Sequence, residues 1–160
     1  MSSTDVGSAS STETAELSTI DMALEVVTLP VSDVERSKRF YESLGWRLDV
    51  DLVAGDEFRA VQMTPPHSQC SIHFGKGIPL RAAPGSLDRL FLAVKDINAA
   101  REDLISRGVD VGEVYEQRPP GFESIEGSSY FLYAEFSDPD GNNWLLQEIT
   151  TRLPGREWED

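Results

Sequence analysis

Leu29-Pro30-Val31-Ser32-Asp33-Val34 is followed 63 residues later by Leu92-Ala93-Val94-Lys95-Asp96-Ile97, the same phrase in slightly different words. The offset that lays Leu29, Val31 and Asp33 on Leu92, Val94 and Asp96 also lays Ser43 and Gly45 on Ser106 and Gly108. Each copy reads as an apolar strand, an aspartate able to cap a helix, about three helical turns and a stopping glycine. In a domain made of two copies of one strand–helix unit, the working site is expected between them.

Working outward, order is expected from Met22, with a mostly apolar strand over 24–29 buried on both sides. Val34, Ser37, Phe40, Tyr41 and Leu44 fall on one helix face, and Gly45 ends the helix. Strands follow over 46–53, 57–64 and 70–74, parted by polar turns and by Pro65-Pro66. The second copy repeats the order: a strand over 88–94, a helix with Ile97, Ala100 and Leu104 on one face, then a strand over 109–115. Residues 118–129 hold two prolines and two glycines and have the character of a lid or ligand loop. The last two strands, 130–136 and 143–149, are joined by Asp138-Pro139-Asp140-Gly141, with the glycine supplying a positive φ. Each half is therefore β-α-β-β-β, an α+β pattern.

The 160 residues suffice for one core, expected over 22–150. A Ser/Thr-rich stretch over 1–21 is expected to be a disordered tail, and 151–160 a polar one. The net charge of −14 argues against nucleic acid as a partner and is compatible with a cationic ligand. A single cysteine, Cys70, fits a reducing compartment. No apolar run approaches the roughly 20 residues that cross a bilayer, so no membrane partner is expected. Nor does the N-terminal stretch have a secretory signal's basic start and apolar middle, so a cytoplasmic location is expected. Phosphate-binding glycine loops, a nucleophile elbow and zinc-type spacings are missing from the sequence.

Two tandem βαβββ units, LPVSD at 29–33, FYESLGW at 40–46 and FSDPDGNNWLLQE at 136–148 together resemble the vicinal oxygen chelate superfamily. That superfamily includes glyoxalase I, bleomycin-binding proteins and extradiol dioxygenases. The resemblance implies a curved, cup-like mixed sheet with helices on the outer face, and pairing as a homodimer. It also implies a divalent metal held by four side chains, one from each of four strands. Carried over, those positions are Val26, His73, Arg89 and Leu145. Valine and leucine offer no lone pair and arginine repels a cation, so the usual metal site is read as absent and no cofactor is expected.

Strand alternation shares that face out among further residues. Val26, Thr28, Phe91, Tyr133, Leu145 and Gln147 are the ligand-binding candidates; His73, Glu135 and Arg89 are the candidates for catalysis. Arg89 suits either an internal ion pair with Glu135 or a substrate oxyanion. His73 and Glu135 could each move a proton. Three functions follow. The first is binding of a drug-like or cationic small molecule without metal. The second is a metal-independent lyase or isomerase with His73 or Glu135 as base and Arg89 at the oxyanion. The third is a metal enzyme with relocated ligands such as His73 and Glu135.

Overall fold

Both repeat aspartates cap their helices in the same way. In the computed structural model, which describes residues 16–159, Asp33 accepts from the Arg36 amide and Asp96 from the Ala99 amide, each at 3.0 Å. Their backbones match closely, with φ/ψ of −138/105° and −137/107°. The helices they start are α1, Val34–Ser43, and α2, Ile97–Ser106. Both end in the same left-handed glycine motif: Gly45 and Gly108 have φ of 84° and 90°. The following amides, of Trp46 and Val109, reach back to the Tyr41 and Leu104 carbonyls.

The first module places β1 (Val26–Thr28), β2 (Arg47–Ala54), β3 (Phe58–Thr64) and β4 (Ser71–Lys76) in the order β1-β4-β3-β2. The second places β5 (Leu90–Val94), β6 (Tyr115–Glu116), β7 (Leu132–Ser137) and β8 (Asn143–Glu148) in the order β5-β8-β7-β6. In each sheet the edge strand β1 or β5 runs parallel to its neighbour and the remaining pairs are antiparallel. The α+β architecture of two βαβββ modules stands as read. Within one chain the two sheets remain separate and open.

One side of each sheet is packed. Val61, Met63, Ile72 and Phe74 from the first, and Ala134, Phe136, Trp144 and Leu146 from the second, join one buried cluster with both helices. Tyr41 of α1 lies at its centre, with its ring centroid 5.8 Å from Phe74 and 6.1 Å from Trp144. Phe40 beside it is 6.4 Å from Phe136. One helix thus touches the packed side of both sheets, leaving the other side of each sheet on the outside.

A polar seam crosses this core. The Tyr41 hydroxyl donates to Asp138 at 2.8 Å and accepts from the Trp144 indole N–H at 2.9 Å. Asp138 also accepts from the amides of Asp140, Gly141 and Asn142, which shapes the β7–β8 turn. Asn142 then bridges Asp138 to the Pro30 carbonyl in the first module. Burial, reinforced by the Asp138 carboxylate, pushes the Tyr41 phenol far above its usual range. It therefore acts as a fixed hydrogen-bond relay and not as an acid.

Three expectations need correction. The first strand covers Val26–Thr28 and not 24–29, and its residues are half-buried, not buried on both sides, while Leu24 is 71% exposed. Its parallel partner β4 begins only at Ser71, so upstream residues have no ladder to join. The strand expected over 109–115 shrinks to Tyr115–Glu116. Val109 and Val111 are used as core plugs, and the Gly112 amide makes one bond to the Glu135 carbonyl.

The expectation for 1–15 lies outside the described residues. Residues 16–21 are exposed. The C-terminal stretch folds back: the Trp158 indole donates to the Ile149 carbonyl at 2.8 Å and Arg152 lies 4.7 Å over its ring. No helix among the described residues is long and apolar enough to cross a membrane.

Candidate ligand-binding site

The outer face of the first sheet is set by the β1–β4–β3 register, which aligns Thr28, His73 and Gln62 in one row. Thr28 Oγ1 lies 2.9 Å from His73 Nδ1, which leaves the other ring nitrogen for a ligand. Val26 sits one step away, opposite Ser71. A concavity of about 190 Å³ opens where Thr28 meets Gly75, Ile78 and Pro84.

The second sheet presents a different surface. Its register aligns Phe91, Leu145 and Glu135 in one row and Ala93, Gln147, Tyr133 and Tyr115 in the next. The Tyr115 and Tyr133 rings stack at 5.6 Å. Phe91 is 51% exposed, and the Arg89 guanidinium lies 5.5 Å from its ring centroid. Leu145 is fully buried and belongs to no part of the main core. It forms a floor beneath the other side chains of this face and does not line an opening itself.

Glu135 is fixed from two sides. The Tyr115 hydroxyl donates to one carboxylate oxygen at 2.8 Å and the Asn143 amide to the other at 3.3 Å. Burial and this carboxylate raise the Tyr115 pKa, so the phenol stays protonated and donating at neutral pH. The Arg89–Glu135 ion pair weighed from the sequence does not form: none of the salt bridges among the described residues involves Arg89. Arg89 instead has φ of 60°, a left-handed conformation that turns its side chain back over Phe91. Gln147 donates to the Tyr130 carbonyl at 3.1 Å, tying the long 117–131 loop to the edge of this face.

The nine site residues expected from the sequence therefore fall into two groups. Val26, Thr28 and His73 share the first sheet; Phe91, Tyr133, Glu135, Leu145 and Gln147 share the second, with Arg89 one residue before β5. No hydrogen bond or ion pair among the described residues joins the groups. Two residues were missed. Tyr115 could have been found as the aromatic at the end of the strand expected over 109–115. Gln62 could have been found by alternation along 57–64.

The donor chemistry does not suit the superfamily's metal. The four positions carry Val26, His73, Arg89 and Leu145, one donor in all. No group of three or more His, Cys, Asp or Glu able to hold a metal occurs among the described residues. His73 and Glu135, the relocated ligands considered, lie on separate sheets. Cys70 is half-buried, and burial raises its thiol pKa, which makes it a poor nucleophile.

Two βαβββ modules, each with a packed side and a furnished outer side, define a class of ligand-binding and catalytic domains. The family model described as Glyoxalase/Bleomycin resistance protein/Dioxygenase superfamily matches residues 23–146, and the chain belongs to that superfamily. Among solved structures it is similar to TnmS3, an antibiotic binding protein from Streptomyces sp. CB03234. Identity is 31% over 83% of this chain and 99% of that one, with a TM-score of 0.63. A glyoxalase/bleomycin resistance protein from the same Streptomyces is 32% identical over 78% and 99%, with a TM-score of 0.60. A superfamily member from Sphaerobacter thermophilus DSM 20745 is 27% identical over 80% and 98%, with a TM-score of 0.59. No curated protein matches.

Proposed function

We propose that this chain binds a small, largely aromatic organic molecule without a bound metal, in a pocket that a second copy of the chain completes. The carrying observation is the outer face of the second sheet, where half-exposed Phe91 and the stacked Tyr115–Tyr133 pair lie beside a fixed Glu135 carboxylate. Aromatic surface with one oriented charge suits a planar ligand carrying an ammonium group. The likeness to an antibiotic binding protein supports the same reading.

The second copy follows from the division of the site. Each outer face supplies half of a cavity wall, and the concavities of about 380 Å³ at Glu135 and 190 Å³ at Thr28 each touch only one half. Setting the first face of one chain against the second face of another would surround a ligand with both residue groups. The test is calorimetric titration of chelator-treated protein with doxorubicin, a planar aromatic amine, and with spermine as a cation without rings. Saturable doxorubicin binding that added divalent metal leaves unchanged supports the proposal. Binding that appears only with metal refutes it.

Arg89 favours a second reading. A guanidinium with no carboxylate partner among the described residues is available to a developing oxyanion, so a lyase or isomerase would use Arg89 there and Glu135 or His73 as base. In that case Arg89→Met abolishes turnover of a carbonyl substrate and leaves the melting temperature unchanged; retained turnover excludes it.

A further inference from the structure

The loop between β6 and β7 has no helix or strand from 117 to 131, yet one side chain holds it together. Arg118 is 16% exposed, and its guanidinium is almost fully engaged. Nε donates to Glu116 at 2.6 Å, Nη1 to the Phe122 and Ile125 carbonyls at 3.3 and 2.5 Å, and Nη2 to the Gly127 carbonyl at 2.7 Å. Its plane lies over the Phe131 ring at 4.4 Å. Loop carbonyls ordinarily turn to water for partners. Here a single planar fork collects three of them, a pattern that a lysine ammonium cannot reproduce.

The far end of the loop is tied to the aromatic face. The Tyr130 amide donates to the Glu148 carbonyl at 2.7 Å, and Gln147 of the outer face donates to the Tyr130 carbonyl. Ser128 is held by the Glu148 carboxylate at 3.0 Å. Tyr130 has φ of 74°, so two of the three non-glycine residues with positive φ among the described residues, Arg89 and Tyr130, border this face. Such conformations persist where surrounding contacts enforce them, and they concentrate at ligand sites. Phe122, Ile125 and Tyr130 keep exposed apolar surface on the same loop.

We infer that Arg118 is a positioning residue that makes residues 119–130 a preformed wall at the rim of the second sheet's outer face. The inference rests on the binding reading above and deepens it. A wall ordered before the ligand arrives spares the ligand the entropy of ordering it.

The test compares the full chain with Arg118→Met, Arg118→Lys and Glu116→Ala by hydrogen exchange and by doxorubicin titration. Arg118→Met should speed amide exchange over 121–130 at least tenfold, raise the doxorubicin Kd at least tenfold, and leave exchange in β5, β7 and β8 unchanged. Arg118→Lys should fail to restore either property, and Glu116→Ala should give a partial effect on both. Unchanged exchange over 121–130 in Arg118→Met overturns the inference. So does faster exchange with an unchanged Kd, which would mean the loop is ordered by Arg118 but takes no part in the site. Failure of the unsubstituted chain to bind doxorubicin is instead the failure of the binding reading, and the exchange comparison then decides by itself whether Arg118 orders the loop.

Discussion

In the first module one row across the outer face runs Thr28, His73, Gln62 and Val50; in the second the corresponding face carries Phe91, Tyr115, Tyr133 and Glu135. Behind those faces the modules differ far less. The N-caps of α1 and α2 agree within a few degrees, and the same carbonyl-to-amide pattern closes both helices. A repeated unit can diverge freely where it meets solvent or ligand, because a surface change leaves the packed side undisturbed. Capping and core positions have no such freedom. The two faces are therefore unequal: polar Thr28, His73 and Gln62 with exposed aliphatic Val50 and Leu52 at the edge of one, aromatic side chains with a carboxylate on the other.

The largest effect should come from breaking what joins the modules. Asp138→Ala removes the acceptor shared by Tyr41, Asn142 and three turn amides. A loss of at least about 3 kcal/mol is expected in urea unfolding, since charge-assisted bonds are worth about 1.5–3 kcal/mol each and are not additive. Tyr41→Phe should lose about 1–3 kcal/mol, because it strands the Trp144 indole N–H and leaves the Asp138 oxygen with Asn142 as its one remaining donor.

Next come the aromatic residues. Phe91→Ala or Tyr133→Ala should weaken doxorubicin binding about tenfold, equivalent to about 1.4 kcal/mol, with the melting temperature nearly unchanged. Equal losses from Thr28→Ala would erase the distinction between the faces.

The first module also holds an ion network without a counterpart in the second. Asp51 takes two bonds from Arg59, at 2.9 and 2.8 Å, and one from Lys38 at 2.9 Å. The positions 63 residues on from Asp51 and Arg59 are Val114 and Phe122. Hydrogen bonds from Arg59 and Lys38 hold the Asp51 carboxyl well below the usual carboxylate range. A depressed folded-state pKa means that the contribution is fully present above the unfolded value of about 3.9 and is lost as pH falls below it. Asp51→Asn should therefore cost up to about 1 kcal/mol at pH 7, as expected for a partly exposed pair, and the difference should shrink on acidification below about pH 4. His73→Ala should have the smallest effect, a two- to threefold change in ligand affinity, or about 0.5 kcal/mol.

Helices and turns were legible in the sequence because their signals are local. Asp33 and Asp96 cap, Gly45 and Gly108 stop, and Gly141 takes its positive φ of 101° whatever lies across the core. Strand lengths were not local. Leu24 is as apolar as Leu29 but has no partner strand beside it, and Val111 alternates properly yet is drawn under the core. Alternation puts Phe91, Tyr133, Glu135, Leu145 and Gln147 on one face of the second sheet, and the register keeps them there. It could not show that Leu145 is covered or that Arg89 turns away from Glu135. Arg118 escaped notice because its partners are main-chain carbonyls, which leave no mark in the order of side chains.

The most direct test of the two-chain pocket is complementation. Thr28→Arg blocks the first face and Phe91→Arg the second, and each variant alone should lose doxorubicin binding while keeping its fold. When the two are mixed and allowed to exchange subunits, the proposal predicts recovery of one functional site per mixed dimer, because one intact first face then meets one intact second face. If the mixture stays inactive while mixed dimers demonstrably form, the site does not lie between chains.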